Sequence, residues 1–424
     1  MQGVGGVVSA VLVVRYFSPE VQGYYYTFAN LLGLQVLLEL GLSSVISIFA
    51  GHEWSKLSVS ADRRPTGDVV ALDRLSSLAR KASAWYAVAA LVLLLSLPVA
   101  GFWFFLSAEP ASQVAWQYPW IALCVLAVIH FALTPMWALL LACGEIAAIN
   151  AYRFVEALLR YIVLWGLMAI GALLWSPVGV AVVGLLATFG FLLRYRGFLL
   201  PLLTRTPAHE IEWRKEILPL QIRFALSWAS GYLALSLFTP VVFYFLGAND
   251  AGRIGLTWAV VSALSGIAAT WLLVQVPGIA IMAAKRDFGG LGASFRRVAM
   301  IAVVVFALGG LAALAGLVWI DRAYPQVAGR FVPIGVLAIF LLAECLHQVS
   351  LAQATYLRAF KEEPFLGVSL LRGLIIGGGT LLLTSTLGLY GAAISYLAGV
   401  LVALFWGTSI FVSKRRQWPS LSPQ

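Results

Sequence analysis

Charge is scarce in this chain. Only 11% of its 424 residues are charged, against about 25% in a soluble domain. Hydrophobic residues make up 61%, and mean hydropathy is +0.93. That balance excludes an ordinary soluble globule and points to a polytopic membrane protein. Cysteine is equally sparse. Cys124, Cys143 and Cys345 all lie inside apolar runs without CxxC or ligand-like spacing. They read as small core residues, which excludes a disulfide framework and a thiolate metal site. The four histidines lack metal spacing, and the chain has no Walker A sequence, no GxGxxG after a strand and no GxSxG elbow. No metal, no other cofactor and no catalytic constellation is therefore expected. The formal net charge of +10 would suggest nucleic acid in a soluble chain. In a membrane protein the basic excess marks cytoplasmic loops, so no nucleic-acid partner is expected.

What is present is a series of twelve apolar segments, about Met1–Val14, Tyr24–Ala50, Ala82–Leu106, Ala115–Leu141, Phe154–Leu174, Pro177–Leu200, Leu218–Leu246, Ile254–Ala283, Val298–Ile320, Phe331–Leu357, Phe365–Leu387 and Tyr390–Val412. The first is too short for a hydrocarbon core of about 30 Å, which takes about 20 residues. Met1 is accordingly expected to lie downstream of the true start. Between the first two segments, Ser18-Pro19-Glu20 supplies a hydroxyl cap, a proline at the first helical position and an acid in the first turn. Tyr24, Tyr25 and Tyr26 follow at interfacial depth. The expected architecture is all-α, with about twelve transmembrane helices.

Alternate connections divide the Lys and Arg residues 24 to 4, with only Arg15, Arg253, Arg322 and Arg330 on the poorer side. These two faces are called the basic side and the neutral side below. The bias predicts that both termini are cytoplasmic. Connections on the neutral side are only about 5–10 residues long.

The chain also repeats. SPEVQGYYYTF (18–28) aligns with GANDAGRIGLT (247–257), IHFALTPMWALLLACGE (129–145) with LHQVSLAQATYLRAFKE (346–362), and LLRYIV (158–163) with LLRGLI (370–375). The three matches keep their order. They predict a six-plus-six duplication: an N-terminal lobe over 1–203, a cytoplasmic linker over 204–217, a C-terminal lobe over 218–413 and a cytoplasmic tail over 414–424. Six is even, so the halves share orientation, related by an axis along the membrane normal with a site at their interface.

The turn SPEVQGYYYTF, the following LLGLQVLLELGLSSVISIFAGHEW and the stretch LQIRFALSWASGYLALSLFTPVVFYFLGANDAGRIGLTWAVVSAL resemble bacterial oligosaccharide flippases of O-antigen type. These belong to the multidrug/oligosaccharidyl-lipid/polysaccharide (MOP) superfamily, together with the peptidoglycan-precursor flippase and the MATE exporters. The resemblance covers nearly the whole chain. It implies two six-helix lobes around a central cavity in the bacterial cytoplasmic membrane. It also implies alternating access for an undecaprenyl-diphosphate-linked oligosaccharide, a role in O-antigen, capsule or exopolysaccharide synthesis, and a polymerase or chain-length regulator as partner. Nothing in the sequence requires more than a monomer.

Flipping breaks no bond, but the diphosphate needs cations at depth, and the arginine fork suits phosphate. Arg223 lies about ten residues past Trp213, roughly 15 Å in at 1.5 Å per residue, and shares a face with Ser227 and Ser230. It reads as a phosphate-binding cation or as an arginine snorkelling to the interface. Arg160 and Arg372 are repeat-related and read as a cationic cavity floor or as anchors. Arg153 and Arg358 lie nearer the surface and read as anchors, as do Arg80 and Lys81. Glu39 falls near the midplane, on a four-residue spacing with Thr27, Gln35, Ser43 and Ser47. It reads as an H+ or Na+ coupling or gating acid, or as a partner for an arginine such as Arg223. Glu344 and His347, one turn apart beside Gln348, read as a proton relay or as a satisfied interhelical bond. His130 matches His347 as a structural echo. The Gly377-Gly378-Gly379 run reads as close helix packing.

Two rival functions stay open. A MATE-like exporter of cations would want a net acidic cavity. A polysaccharide polymerase or ligase would want catalytic residues on a sizeable external loop, which the short neutral-side connections do not supply.

Overall fold

A computed structural model describes residues 2–39, 41–60, 64–109, 112–285, 287–358 and 365–420. In chain order its helices are α1 (Gln2–Tyr16), α2 (Pro19–Leu32), α3 (Val36–Glu39), α4 (Leu42–Trp54), α5 (Val69–Ala108), α6 (Gln117–Ala132), α7 (Thr134–Ala142), α8 (Ile146–Ala169), α9 (Trp175–Arg194), α10 (Arg196–Thr204), α11 (Leu218–Leu235), α12 (Phe238–Leu246), α13 (Ala248–Ala284), α14 (Phe288–Ala323), α15 (Pro325–Ala328), α16 (Ile334–Arg358), α17 (Leu366–Leu387) and α18 (Leu389–Ser420). Each of the twelve apolar segments carries a helix, and the chain is an all-α multi-pass membrane protein. Among the described residues, eight helices are long and apolar enough to cross a bilayer, or nine with the bent pair over α2–α4. The other three segments are α1, the charge-bearing α8 and the interrupted pair α11–α12.

The helix boundaries have local causes. Ser18 Oγ accepts from the Val21 N–H at 3.2 Å and starts α2, as its hydroxyl cap predicts. Asp68 caps α5 through the Ala71 N–H at 2.7 Å, and Asp287 caps α14 through the Gly290 N–H at 2.9 Å. Between α11 and α12 the chain breaks at Ser236–Leu237. Pro240 stands four residues after Ser236, and its ring would collide with the Ser236 carbonyl in a continuous helix. The second segment, expected as one helix over 24–50, is bent by 47°. A 3-10 turn at Gly33–Gln35 interrupts it, and Gly41 takes φ +65°. That left-handed conformation suits glycine. A Cβ at Gly41 would also sit 2.6 Å from Phe224 Cβ on α11. The four-residue spacing through Glu39 therefore does not make one polar stripe.

Two compact units are present: 1–30 with 230–424, and 31–229. Compactness thus groups α1 and most of α2 with the C-terminal helices, a division different in kind from the repeat-based lobes. The 31–229 unit holds a core including Leu75, Leu78, Tyr86, Phe131, Leu139, Phe191 and Phe198, with Trp137 and Phe191 stacked at 4.8 Å. Strands β1 (Leu57–Val59) and β2 (Pro65–Gly67) pair antiparallel in its basic connection. The other unit packs Phe238, Trp258, Phe340 and Tyr396 in one aromatic cluster.

The segment after α10 is strapped onto α5. Buried Asp73 accepts from Arg205 Nε at 2.7 Å, the Ala208 N–H at 3.0 Å and His209 Nδ1 at 3.3 Å. Ser77 Oγ accepts from the Ile211 N–H at 3.2 Å. Lys81 donates to the Ile211 carbonyl at 2.9 Å and pairs with Glu210 at 2.7 Å. Arg80 donates to the Arg205 carbonyl at 3.2 Å. Nearby, Arg74 bridges Glu53 at 2.7 Å and Glu216 at 2.5 Å. Hydrogen bonds from Lys81 and Arg74 hold the Glu210 and Glu216 carboxyls below the usual glutamate range. With both folded pKa values lowered, these contacts add stability above the ordinary glutamate pKa and lose it as pH falls through the lowered values. Asp73→Ala is expected to cost about 1–3 kcal/mol, since it removes charged hydrogen bonds and orphans the Ala208 N–H. Trypsin should then cut after Arg205 faster than in the parent. An unchanged cleavage rate and unfolding midpoint would count against the strap.

Candidate functional site

Three of the predicted site residues converge in the unit of 1–30 and 230–424. Helix α16 places Glu344, His347 and Gln348 within one turn. Glu344 Oε1 accepts from Ser265 Oγ of α13 at 2.6 Å, and Oε2 accepts from the Tyr396 hydroxyl of α18. Gln348 Nε2 donates to Ser265 Oγ at 2.9 Å. Arg372 on α17 lies against His347, with Nη1 3.0 Å from Nδ1 and 3.3 Å from Nε2. A guanidinium can only donate, so the imidazole is the acceptor. Glu344 and Gln348 are buried, and Tyr396 is fully enclosed by its aromatic neighbours.

Packing fixes Arg372 in place. A Cβ on Gly373 would meet the Ser230 carbonyl oxygen at 2.7 Å, and one on Gly399 of α18 would meet the Arg372 carbonyl at 3.2 Å. In the glycine run, Gly379 approaches Ser395 of α18, with 2.7 Å from its virtual Cβ to Oγ. These are close helix contacts, as small residues allow. Arg372 Nε is nevertheless buried without a hydrogen-bond partner, as is Gln348 Oε1. Among the described residues no carboxylate forms an ion pair with Arg372. The site therefore holds a cation with unused donor capacity beside a carboxylate whose two oxygens are already occupied by hydroxyls.

The unit of 31–229 holds the other predicted residues separately. Glu39, half-buried at the end of α3, accepts on Oε1 from Ser43 Oγ and, at 3.4 Å, from the Tyr86 hydroxyl. Arg160 is paired with Glu156 one turn earlier at 3.4 Å, and its side chain is 45% exposed. Its repeat mate Arg372 has Val368 at that position, so only the first repeat neutralises its arginine within the helix. His130 is exposed and close enough to Arg160 to feel its charge, but among the described residues no hydrogen bond joins the two as one joins His347 and Arg372. The side chains of Arg223, Ser227 and Arg358 lie outside the described residues. Tyr86, Ser265 and Tyr396 carry no signal in the sequence, whereas the four-residue spacing of Glu156 to Arg160 is a legible one.

No family model matches the sequence, and no curated protein is similar to it at a meaningful level. Solved structures are similar over nearly the whole chain. An inward-facing MATE family multidrug transporter of the MOP superfamily gives a TM-score of 0.65 at 18% identity, covering 98% of this chain and 96% of that one. The lipid II flippase MurJ, in an inward closed conformation, gives 0.68 at 12% identity over 97% and 86% of the two chains. An outward-facing MATE transporter of the same superfamily gives 0.54 at 16% identity over 97% and 92%. At these identities the likeness is one of fold. The chain has the fold of MOP-superfamily transporters.

Proposed function

We propose that the chain is a flippase. Its cargo would be undecaprenyl-diphosphate-linked oligosaccharide, moved from the cytoplasmic to the periplasmic leaflet of the bacterial inner membrane by alternating access. The observation that carries this reading is Arg372: a guanidinium on an apolar helix, without a carboxylate partner among the described residues and with Nε unused. A cation at membrane depth without an ion-pair contact is costly and is kept for function. The diphosphate of a lipid-linked sugar is the anion that its fork fits. The cargo's lipid tail stays in the bilayer while its headgroup crosses. In this reading Arg223 and Arg160 join Arg372 in headgroup capture, while Glu39, Glu344 and His347 serve H+ or Na+ coupling or gating. The two six-helix lobes over 1–203 and 218–413 rock about the cargo, with both termini cytoplasmic. The protein acts as a monomer and hands its product to a polysaccharide polymerase or chain-length regulator.

The rival reading, a MATE-like exporter, draws support from the fold. Export of a cation asks for carboxylates with free oxygens. Glu344 instead has both oxygens bonded to hydroxyls, while Glu39 is bonded on Oε1 alone. The deciding experiment deletes the gene in its host and follows lipid-linked repeat units and surface polysaccharide. Repeat units should build up on the cytoplasmic leaflet, and the wild-type gene should restore the glycan. An unchanged glycan in a strain without a redundant flippase would exclude the flippase and turn attention to drug export.

A further inference from the structure

The neutral-side ends of α2 and α13 touch backbone to backbone. A Cβ on Gly23 would lie 1.9 Å from the Ala248 carbonyl oxygen. One on Gly252 would lie 2.9 Å from the Pro19 carbonyl oxygen, and one on Gly255 would lie 2.4 Å from Tyr26 Cβ. The alignment of 18–28 with 247–257 pairs Pro19 with Ala248, Gly23 with Gly252, and Tyr26 with Gly255. Gly23 thus touches the mate of Pro19, Gly252 touches Pro19 itself, and Gly255 touches its own mate. Such reciprocity is what a twofold axis produces: i meets j′ and j meets i′, and a residue on the axis meets itself. This crossing is where the two repeats meet.

Polar bonds between the repeats close the same crossing. From the first repeat come the Val13 and Phe17 carbonyls at the end of α1, and Gln22 of α2. From the second come Gly252 and Arg330, the latter on the turn between α15 and α16. Arg330 Nη2 donates to the Phe17 carbonyl at 2.5 Å and the Val13 carbonyl at 3.5 Å. Arg330 Nε donates to Gln22 Oε1 at 3.0 Å. Gln22 Nε2 donates to the carbonyls of Gly252 at 2.7 Å and Arg330 at 3.2 Å. Both side chains are buried, Gln22 at 1% exposure and Arg330 at 9%. The guanidinium sits on the negative end of α1, where a cation is favoured, and its acceptors named here are all neutral. On its own side the turn is braced by Arg253, whose Nε donates to the Gly329 carbonyl at 2.8 Å and whose Nη1 pairs with Asp250 at 2.9 Å. The bonds to the first repeat are the separable ones.

We infer that this crossing is a latch closing the neutral face, with Arg330 the bolt that caps α1 across the repeat boundary and must withdraw before the cargo path opens on that side. The inference rests on the alternating-access reading above. Its test does not need cargo. Thr27 lies one turn deeper than Gly23 on the same face of α2 and is fully buried. In full-length protein with Cys124, Cys143 and Cys345 replaced by alanine, Thr27→Cys reports opening through its reaction with a membrane-impermeant maleimide added on the neutral side. Arg330→Ala is expected to raise the labelling rate about tenfold, because the charged bonds across the repeats are gone. Gln22→Ala is expected to raise it severalfold, because it removes the bonds to the Gly252 and Arg330 carbonyls and the acceptor of Arg330 Nε. An Arg330→Ala variant that folds and labels at the parental rate overturns the latch. Should that variant fail to fold, Gln22→Ala decides: faster labelling supports the latch, and unchanged or slower labelling overturns it. The deletion experiment judges the cargo independently, so loss of the flippase reading and loss of the latch are separate results.

Discussion

Arg372→Ala is expected to lower the rate of lipid-linked oligosaccharide translocation by about two orders of magnitude, whereas Arg160→Ala should lower it by no more than about threefold. The two arginines are repeat mates, so the contrast isolates their surroundings. Arg160 is 45% exposed and shares its charge with Glu156. Removing it leaves a carboxylate that water can reach in part. Arg372 lies against His347, which cannot neutralise it, and keeps an unused buried donor. A bidentate guanidinium–phosphate contact comprises two charged hydrogen bonds at about 1.5–3 kcal/mol each, and every 1.4 kcal/mol is tenfold. Arg372→Lys keeps the charge but loses the fork, so it should fall between the two. Initial rates in proteoliposomes loaded with undecaprenyl-diphosphate-linked sugar measure all three. Full activity in Arg372→Ala would remove this residue from headgroup capture and leave it a packing role. Equal losses at both positions would mean that exposure and pairing do not govern their function.

Much of this architecture could be read from residue order, because bilayer thickness and backbone hydrogen bonding leave few choices. Apolar run length placed the helices, and Ser18-Pro19-Glu20 placed the first turn. The repeat alignment sets Gly23 opposite Gly252, and both glycines lie in the contact between α2 and α13. The second segment was misjudged for an identifiable reason. Residues 24–50 contain no proline, so periodicity predicts one helix, and the break comes from the 3-10 turn at Gly33–Gln35 and the left-handed Gly41 against Phe224. The segment 204–217 has the composition of a linker, yet Asp73, over 130 residues earlier, binds it down. Glu344 was legible as a polar residue at depth. Its partners Ser265 and Tyr396 were not, since packing among α13, α16 and α18 brings them together across 79 and 52 residues. Arg330 entered only the tally of neutral-side cations, which carries no information about burial.

Gly23→Val is expected to be among the most damaging single substitutions in the chain. The obstacle is backbone. A Cβ at residue 23 would lie 1.9 Å from the Ala248 carbonyl oxygen and 2.6 Å from its carbon, and no rotamer change can relieve that. Helices α2 and α13 would have to separate by more than an ångström. The adjoining bond from Gln22 to the Gly252 carbonyl is 2.7 Å long and would break with them. Overpacking of this kind costs about 1–3 kcal/mol, and a rigid backbone neighbour puts it at the upper end. Gly166, inside α8, provides the contrast, since nothing lies within 4 Å of its virtual Cβ. Gly166→Ala should therefore be neutral or stabilising by up to about 1 kcal/mol through helix propensity alone. Thermal unfolding in detergent compares the two directly. The maleimide assay adds a reading that stability alone does not give: by wedging the crossing apart, Gly23→Val should expose Thr27→Cys to the neutral side even where Arg330 is intact. A folded Gly23→Val protein with a parental midpoint and parental labelling would mean that the crossing yields without cost, and the close contact would then have no part in holding the repeats together.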